Sequence, residues 1–386
     1  MVRERTRQDT AMKRRYVLIL TLLGSLLLPW PAARLETPLT TEEQTVKDAL
    51  QALLSRQDDA VLRTNERALR TVYTRSGSTD ALRHARARQE FLHAWQAARR
   101  VKIEGVTVEL RTPAIKFSGK DRVRVTAVVS EAFRYRQQQR DAQQEVFGLG
   151  TRRWYVLQKE RGWRIRSEDY TDPLDQDTRI PGEAMPAVNT RELAQVEPPH
   201  VILPAAERAV RYADTYCGAA PGCGNGRRYN PRYNDFNGEG GDCTNFVSQS
   251  LRAAGFRQTG KWSWDAGKGD GTRAWSNADG LADYLVGSGR AQVVGSGTYT
   301  ALTHPLHNGS PAPISRLAPG DIIGYRERGR IVHLGLVVGR SPSNYVIVDT
   351  HTADRFHVPW DIGWDRSTRF VLLKLRYPEE QRAFNR

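Results

Sequence analysis

Cysteine and long hydrophobic runs are scarce in this sequence of 386 residues. Only three cysteines occur, and no zinc-finger spacing of cysteine and histidine is present. The main apolar stretch, "YVLILTLLGSLLL", is short for a membrane span. Internal repeats are absent, and no single basic helix stands apart from the rest of the chain. These absences argue against a nucleic-acid partner and against a metal site built around the cysteines.

Acidic residues are outnumbered by basic ones. The chain has 58 Lys and Arg against 43 Asp and Glu, which gives a formal net charge of +15. Such a charge suits an anionic partner, for example a cell-wall polymer or a membrane surface. An arginine-rich, solvated surface explains the same excess, so charge alone selects no partner. The hydrophobic fraction of 39% supports a packed core.

The first 35 residues have the layout of a secretory signal. A basic segment precedes the apolar stretch, and the small residues Ala32 and Ala33 follow it. No cysteine follows the apolar stretch, which argues against a lipoprotein. We therefore expect residues 1–35 to be a signal peptide or an uncleaved N-terminal anchor. The rest of the chain is then secreted or held at the cell surface.

Hydrophobic periodicity divides the exported chain into two regions. Residues 41–100 show a helical pattern, with a capping box between Thr41 and Gln44. From Val101 the period changes to two, in "VTVEL" and "RVRVTAVV", and "TRRWYVLQKERGWRIRSEDY" predicts a hairpin. We interpret residues 41–170 as an α+β accessory domain and the proline-rich residues 171–203 as a linker. Residues 204–386 form the second domain, in which helices precede four apolar strands.

The three cysteines all lie in the second domain. Cys217 and Cys223 flank "GAAPG", which bends easily, so they can close a small disulfide loop. That pairing leaves Cys243 as the odd cysteine. In an exported protein, an odd cysteine is either a reactive thiol or an intermolecular link. From the count alone, a disulfide of Cys243 with one of the others, or a buried core thiol, stays open.

The stretch "NGEGGDCTNFVSQSLRAAG" places Cys243 in the first turn of a predicted helix. The positive end of the helix dipole stabilises a thiolate and lowers the thiol pKa. The backbone N–H of Cys243 is also a free donor for an oxyanion. Asp242, just before it, either caps the helix or orients the site. Local chemistry therefore favours a nucleophilic Cys243.

A histidine base is predicted from strand register. His333 lies in the apolar strand "RIVHLGLVVGR", and the strand "YVIVDTHT" follows after a turn. A hairpin centred on Pro342 places His333 opposite His351. Asp349 then lies on the same face as a diagonal neighbour. A slip of one residue would undo this cluster.

Several motifs in order carry a family resemblance: "RAVRYADTY", "YNPRYNDF", "GDCTNFVSQSLRAAG", "APGDIIGY", "HLGLVVG" and "DTHTADRF". Over residues 204–377 the chain resembles the putative amidase domain family, a branch of the papain-like cysteine hydrolases related to the NlpC and CHAP families. The resemblance implies a nucleophile at Cys243, a base at His333 and a polar third member at His351. It also implies a cysteine-bearing helix packed on a histidine-bearing antiparallel sheet.

These observations together predict an α+β protein with a papain-like C-terminal domain that acts as an exported cysteine amidohydrolase. The expected substrates are amides of cell-wall peptides or muramoyl peptides, cleaved through an acyl-enzyme without a metal or an organic cofactor. Asp242 and Asp349 are expected to support the site, and Asp349 remains an alternative to His351 as third residue. The rival hypothesis is a non-catalytic cell-surface binding module on the same fold.

Overall fold

The computed structural model describes residues 38–379, apart from 139–141, 173, 175–202, 238, 240, 307–309 and 343. The expected signal segment, residues 1–35, and most of the expected linker lie outside the described residues. The chain divides into Met1–Leu39 and one compact unit, Thr40–Arg386. No helix among the described residues is long and apolar enough to span a bilayer.

The first half of the compact unit consists of helices followed by long strands. In order these are α1 (Thr41–Leu62), α2 (Glu66–Val72), α3 (Thr79–Arg99), β1 (Val101–Phe117), β2 (Arg122–Gln137), β3 (Gln144–Lys159) and β4 (Trp163–Asp169). A capping box begins α1, but Thr40 and Glu43 form it rather than Thr41 and Gln44. The β3–β4 hairpin matches the predicted one, since Lys159 pairs with Trp163 across its turn.

The second half begins with helices and ends in strands. In order these are α4 (Pro204–Tyr216), α5 (Cys243–Ala253), β5 (Trp264–Asp265), β6 (Asp270–Gly271), α6 (Arg273–Ser276), α7 (Ala278–Gly287), β7 (Ala291–Gly297), α8 (Tyr299–Thr303), a 3-10 helix (Pro313–Arg316), β8 (Ile322–Glu327), β9 (Arg330–Arg340), β10 (Val346–Thr350), β11 (Asp354–Pro359) and β12 (Arg369–Leu375). The α+β class expected from the sequence is therefore confirmed.

Both halves contribute to one antiparallel sheet. Within the described residues its strand order is β1-β2-β3-β11-β10-β9-β8-β12-β7, with β4 also paired to β3. The junction is the pairing of β11 with β3, where Asp354 faces Gly150 and Phe356 faces Gly148. The second half is thus hydrogen-bonded directly to the first.

The two faces of the second-half strands carry different cores. Helices α4, α5 and α7 cover one face, which we call the helix face, and its cluster includes Phe246, Val247, Leu251, Leu281, Leu334 and Leu336. The cluster on the opposite face includes Tyr299, Tyr325, Val337, Val348, Trp360 and Phe370. Because strand side chains alternate between faces, the face of each candidate residue follows from its neighbours.

Candidate active site

Cys243 is the first residue of α5 and carries a free thiol, 7% exposed. The chain reaches the helix through Gly241, whose φ of 108° lies in the left-handed region. A Cβ at Gly241 would lie 2.9 Å from the Thr352 hydroxyl, which accepts a hydrogen bond from the Asp242 N–H at 2.6 Å. The glycine-rich approach therefore seats the thiol at the start of the helix.

The environment of Cys243 opposes ionisation of the thiol. Burial raises the pKa of the Cys243 thiol, and the carboxylate of Asp242 adds to the rise. Hydrogen bonds from the backbone N–H of Leu334 and from Thr244, whose hydroxyl lies 3.7 Å from Sγ, act in the other direction. The expectation of a lowered pKa was wrong, because desolvation of the thiolate exceeds the stabilisation from the helix terminus.

His351 forms an ion pair with Asp242 directly beside Cys243. Its Nδ1 lies 2.5 Å from Asp242 Oδ2, and its Nε2 lies 2.7 Å from the carbonyl oxygen of Tyr216. Both neighbours accept hydrogen bonds, so both ring nitrogens donate and the ring is an imidazolium. Burial alone would lower the pKa of His351, but Asp242 outweighs it and raises the pKa. The ring stacks between Tyr229 and Phe246, at centroid distances of 4.0 and 4.2 Å.

Asp242 occupies the N-cap position of α5 but does not cap it through its side chain. Its Oδ1 accepts hydrogen bonds from the backbone N–H of Phe236 at 3.2 Å and from Asn245 Nδ2 at 2.7 Å. With Oδ2 engaged by His351, the carboxylate ties the approach loop, the helix and the strand end together. Of the two roles considered for Asp242, the orienting one fits the structure.

His333 lies on a different face of the sheet from the helix that carries Cys243. It pairs with Tyr325 of β8, and its ring contacts Tyr325 and Trp364 at centroid distances of 5.5 and 5.6 Å. Leu334, the next residue, belongs to the helix-face core and its N–H approaches Cys243. The backbone of β9 thus contacts the thiol while the imidazole points away. Within the described residues, no hydrogen bond joins the thiol to His333 or His351.

The predicted pairing of His333 with His351 is wrong because the hairpin register differs. Asp349 faces Leu336, and the register shifts between Ile347 and Val348, where β9 carries the extra residue Val338. His351 follows the end of β10, in the turn before β11. A shift of one residue moves a side chain to the other face, so the two histidines separate.

Thr350 is the partner of the His333 ring. The distance from His333 Nε2 to Thr350 Oγ1 is 3.0 Å, and the Thr350 hydroxyl donates to the His351 carbonyl oxygen at 2.7 Å. His333 Nε2 is therefore the donor, which leaves Nδ1 with the lone pair. Burial, with a smaller contribution from Arg355, lowers the pKa of His333 to about 3. The ring is neutral at neutral pH and is chemically able to accept a proton.

Asp349 contacts neither proposed catalytic histidine in the structure. Its Oδ1 accepts the backbone N–H of His357 at 2.7 Å, and its carboxyl lies beside that of Asp214. Burial, reinforced by Asp214, raises the pKa of Asp349 well above its usual range. Cys217 and Cys223 form a disulfide just after α4. This disulfide holds the chain that supplies the Tyr216 carbonyl to His351.

Sequence reasoning missed Thr350 and Tyr216 as neighbours of the two histidines. Thr350 lies inside "VDTHT", and alternation places it on the face opposite Asp349. That signal was present, but it needed the correct register to be linked to His333. Tyr216 acts through a backbone carbonyl, so its side-chain type carries no signal.

Comparison with known proteins finds a matching family model for the C-terminal half of the chain. The family model described as a putative amidase domain matches residues 205–373, which confirms the resemblance found in the motifs. The description indicates a hydrolase that acts on amide bonds. The matched segment contains Cys243, His333 and His351.

Comparisons with curated proteins and with solved structures give no further information about the fold or function of this chain. A search of the curated proteins finds no match. The solved structures that match include the intermembrane space region of the chloroplast protein ARC6, at 15% identity over 32% of this chain and 94% of that one. Its TM-score is 0.21, and this likeness carries no argument about fold or function.

Proposed function

We propose, from the putative amidase domain at residues 205–373, that the chain is an exported cysteine amidohydrolase with Cys243 as its nucleophile. The observation that carries the proposal is the placement of Cys243. Its free thiol begins α5 and meets the N–H of Leu334, in the strand that carries His333. A helix start supplies donors for the negative charge that develops on a carbonyl oxygen. A papain-like relation between helix and sheet is part of this proposal.

The proposed reaction begins from a neutral thiol and a neutral imidazole. Cys243 Sγ attacks the amide carbonyl carbon while its proton passes to Nδ1 of His333. The resulting imidazolium protonates the leaving amine, and water then hydrolyses the thioester, which regenerates the thiol. In the described arrangement Thr350 accepts the hydrogen bond from Nε2, which leaves the lone pair on Nδ1 for the proton. His351 holds Asp242 beside the nucleophile.

This reaction requires the His333 ring to turn toward the helix face. A β-bulge supports such a movement, since the pairing of β8 with β9 is irregular between Tyr325 and Arg326, where Val332, the residue before His333, has no partner. Bulges change the direction of a strand side chain and are frequent beside active sites. The described arrangement is then a resting state, and substrate binding completes the site.

Cell-wall peptide or muramoyl-peptide amides are the proposed substrates. The predicted secretory signal and the net charge of +15 support a substrate held in an anionic polymer outside the membrane. The substrate site needs no metal or organic cofactor in this scheme.

A binding module is the second candidate function. The raised pKa of Cys243 and the engagement of both His351 nitrogens favour it, because neither arrangement activates the thiol. In that case the surface beside Cys243 holds an amide-containing ligand without cleaving it.

Digestion of purified cell wall separates the two functions. We expect the full chain to release fragments with new amino groups, detected by mass spectrometry, and Cys243→Ala to release none. His333→Asn should abolish cleavage, whereas His93→Asn, distant in the first half, should leave it intact. Binding of the wall by both wild type and Cys243→Ala, with identical digests, would establish the binding module instead.

A further inference from the structure

One helix and two strands bring metal-ligating side chains together, and the proposed reaction uses none of these side chains. Asp214 lies near the end of α4, Asp349 in β10 and His357 in β11. One ligand atom from each lies within 4.8 Å of the others. The closest described pair is His357 Nε2 and Asp214 Oδ1, at 3.1 Å.

Asp349 is the observation that points to a ligand. Its side chain is fully buried, its Oδ1 accepts the backbone N–H of His357, and its carboxyl lies within hydrogen-bonding range of the Asp214 carboxyl. The other oxygen, Oδ2, is buried without a hydrogen bond. A buried carboxylate oxygen without a partner is costly unless a proton or a cation is supplied.

A second carboxyl lies beside this oxygen. The Asp214 side chain is in hydrogen-bonding contact with that of Asp349. In the part of the chain that the structure describes, neither aspartate forms an ion pair with lysine or arginine. Two carboxylates and one imidazole without a fixed cation are a donor set that attracts a divalent ion.

We propose that Asp214, Asp349 and His357 bind a divalent transition-metal ion, with Zn²⁺ as the ion to be tested. Oxygen and imidazole nitrogen bind zinc at about 2.0–2.2 Å, which puts ligand atoms about 3.3 Å apart around a tetrahedral ion. The distance of 3.1 Å between His357 Nε2 and Asp214 Oδ1 already matches that separation. Because the ligand atoms of the three residues all lie within 4.8 Å of one another, only small side-chain shifts are needed to bind the ion. The half-exposed side chains of Asp214 and His357 leave an entry path, and water completes the coordination.

The site is separate from the proposed hydrolysis, and the inference does not depend on it. Bound metal would join α4 to β10 and β11, the same elements that position Tyr216 and His351. It would therefore stabilise the folded chain by mass action.

Zinc titration of the untagged, chelator-treated full chain tests this site. The titration uses a Cys243→Ala background, so that the free thiol cannot bind the ion. We expect one equivalent by isothermal titration calorimetry and a higher melting temperature. Asp214→Asn and His357→Gln should each weaken binding by about tenfold or more, while Asp283→Asn, an exposed aspartate on α7, should bind like its parent.

Asp349 is buried, so the change Asp349→Asn can disturb folding as well as metal binding. Cobalt binding therefore supplies a second readout that does not need this variant. We expect Co²⁺ to give the visible spectrum of a nitrogen–oxygen site, and this spectrum should disappear in His357→Gln. Absence of saturable zinc binding, loss of binding with Cys243, or equal affinity in the ligand variants and Asp283→Asn would overturn the proposal.

Discussion

Two opposing effects act on the thiol of Cys243. The helix start and the Leu334 N–H favour the thiolate, while burial and the Asp242 carboxylate disfavour it. The helix start is visible in the sequence, because glycines and Asp242 precede an apolar periodic segment. Burial of the thiol depends on which distant strand covers it, and the sequence around Cys243 does not indicate that strand. This is why the sequence predicted the helix-start position of Cys243 but not the direction of its pKa shift.

The pH dependence of alkylation tests this balance. We expect iodoacetamide to modify Cys243 of the free chain slowly at pH 7, with the rate rising only above the range of ordinary thiols, about 8.5. The measurement is the alkylation rate against pH, followed by mass spectrometry of the Cys243 peptide. Fast modification at pH 6–7 would contradict the buried, neutral thiol.

His333 should make the fold sensitive to acid. Its pKa of about 3 lies below that of an unfolded histidine, about 6.5, so folding favours the neutral ring. The resulting stability is present above pH 6.5 and is lost as pH falls toward 3. At about 1.4 kcal/mol per pH unit, the loss amounts to several kcal/mol.

Denaturant unfolding at pH 7, 5 and 4 measures this effect. We expect His333→Asn to lose less stability between pH 7 and 4 than wild type, and His93→Asn to behave like wild type. Parallel pH profiles for His333→Asn and wild type would show that the ring is not held neutral.

At the level of elements, alternation and periodicity predicted most of the sheet. The strands β8, β9, β10 and β12 are apolar enough to be found directly. The strands β7, "AQVVGSG", and β11, "DRFHVP", were missed, because glycine in one and charge in the other mask the pattern. The β9–β10 register could not be derived, since a bulge at Val338 adds a residue to β9 that hydrophobicity does not reveal.

The disulfide loop after α4 packs closely on β3, and two glycines make this contact possible. A Cβ at Gly150 would lie 2.5 Å from the carbonyl carbon of Ala219, and one at Gly148 would lie 2.3 Å from the Pro221 oxygen. The Ser130 hydroxyl also donates to the Ala219 oxygen at 2.7 Å. Backbone atoms on both sides leave no flexible group that can move aside.

We therefore expect Gly150→Ala to destabilise the chain by about 1–3 kcal/mol through overpacking. Gly260→Ala is the matched control, because a Cβ there meets nothing within 4 Å. Guanidinium unfolding curves give both values. Equal stability of the two variants would show that the loop is not packed against β3 in solution.

Across the whole molecule, the two halves share a core as well as a sheet. Val358 and Ile362 of the second half belong to the hydrophobic cluster of the first. Arg99, at the end of α3, forms a buried ion pair with Asp361 at 2.6 Å. The Tyr345 hydroxyl also donates to Asp361 at 2.6 Å. Such links couple the stability of one half to that of the other.

Removing the charge at Asp361 should weaken both halves together. Asp361→Asn removes the carboxylate charge from the buried ion pair with Arg99, and breaking a buried ion pair typically costs about 3–5 kcal/mol. We expect hydrogen exchange to quicken in β2 of the first half as well as in β9 of the second. The control is the exposed Asp283→Asn. Faster exchange confined to the second half would show that the halves unfold independently.

The pairing of β3 with β11 also fixes an order of events during synthesis. Residues 148–150 of β3 pair with residues 354–356, so about 200 residues must be added before that edge is closed. At about 5–20 residues per second, the interval is roughly 10–40 s. Throughout it, the first half presents an unpaired strand edge and a core that still lacks Val358 and Ile362. A chain interrupted before β11 is therefore an aggregation hazard, even though its first half is complete in sequence.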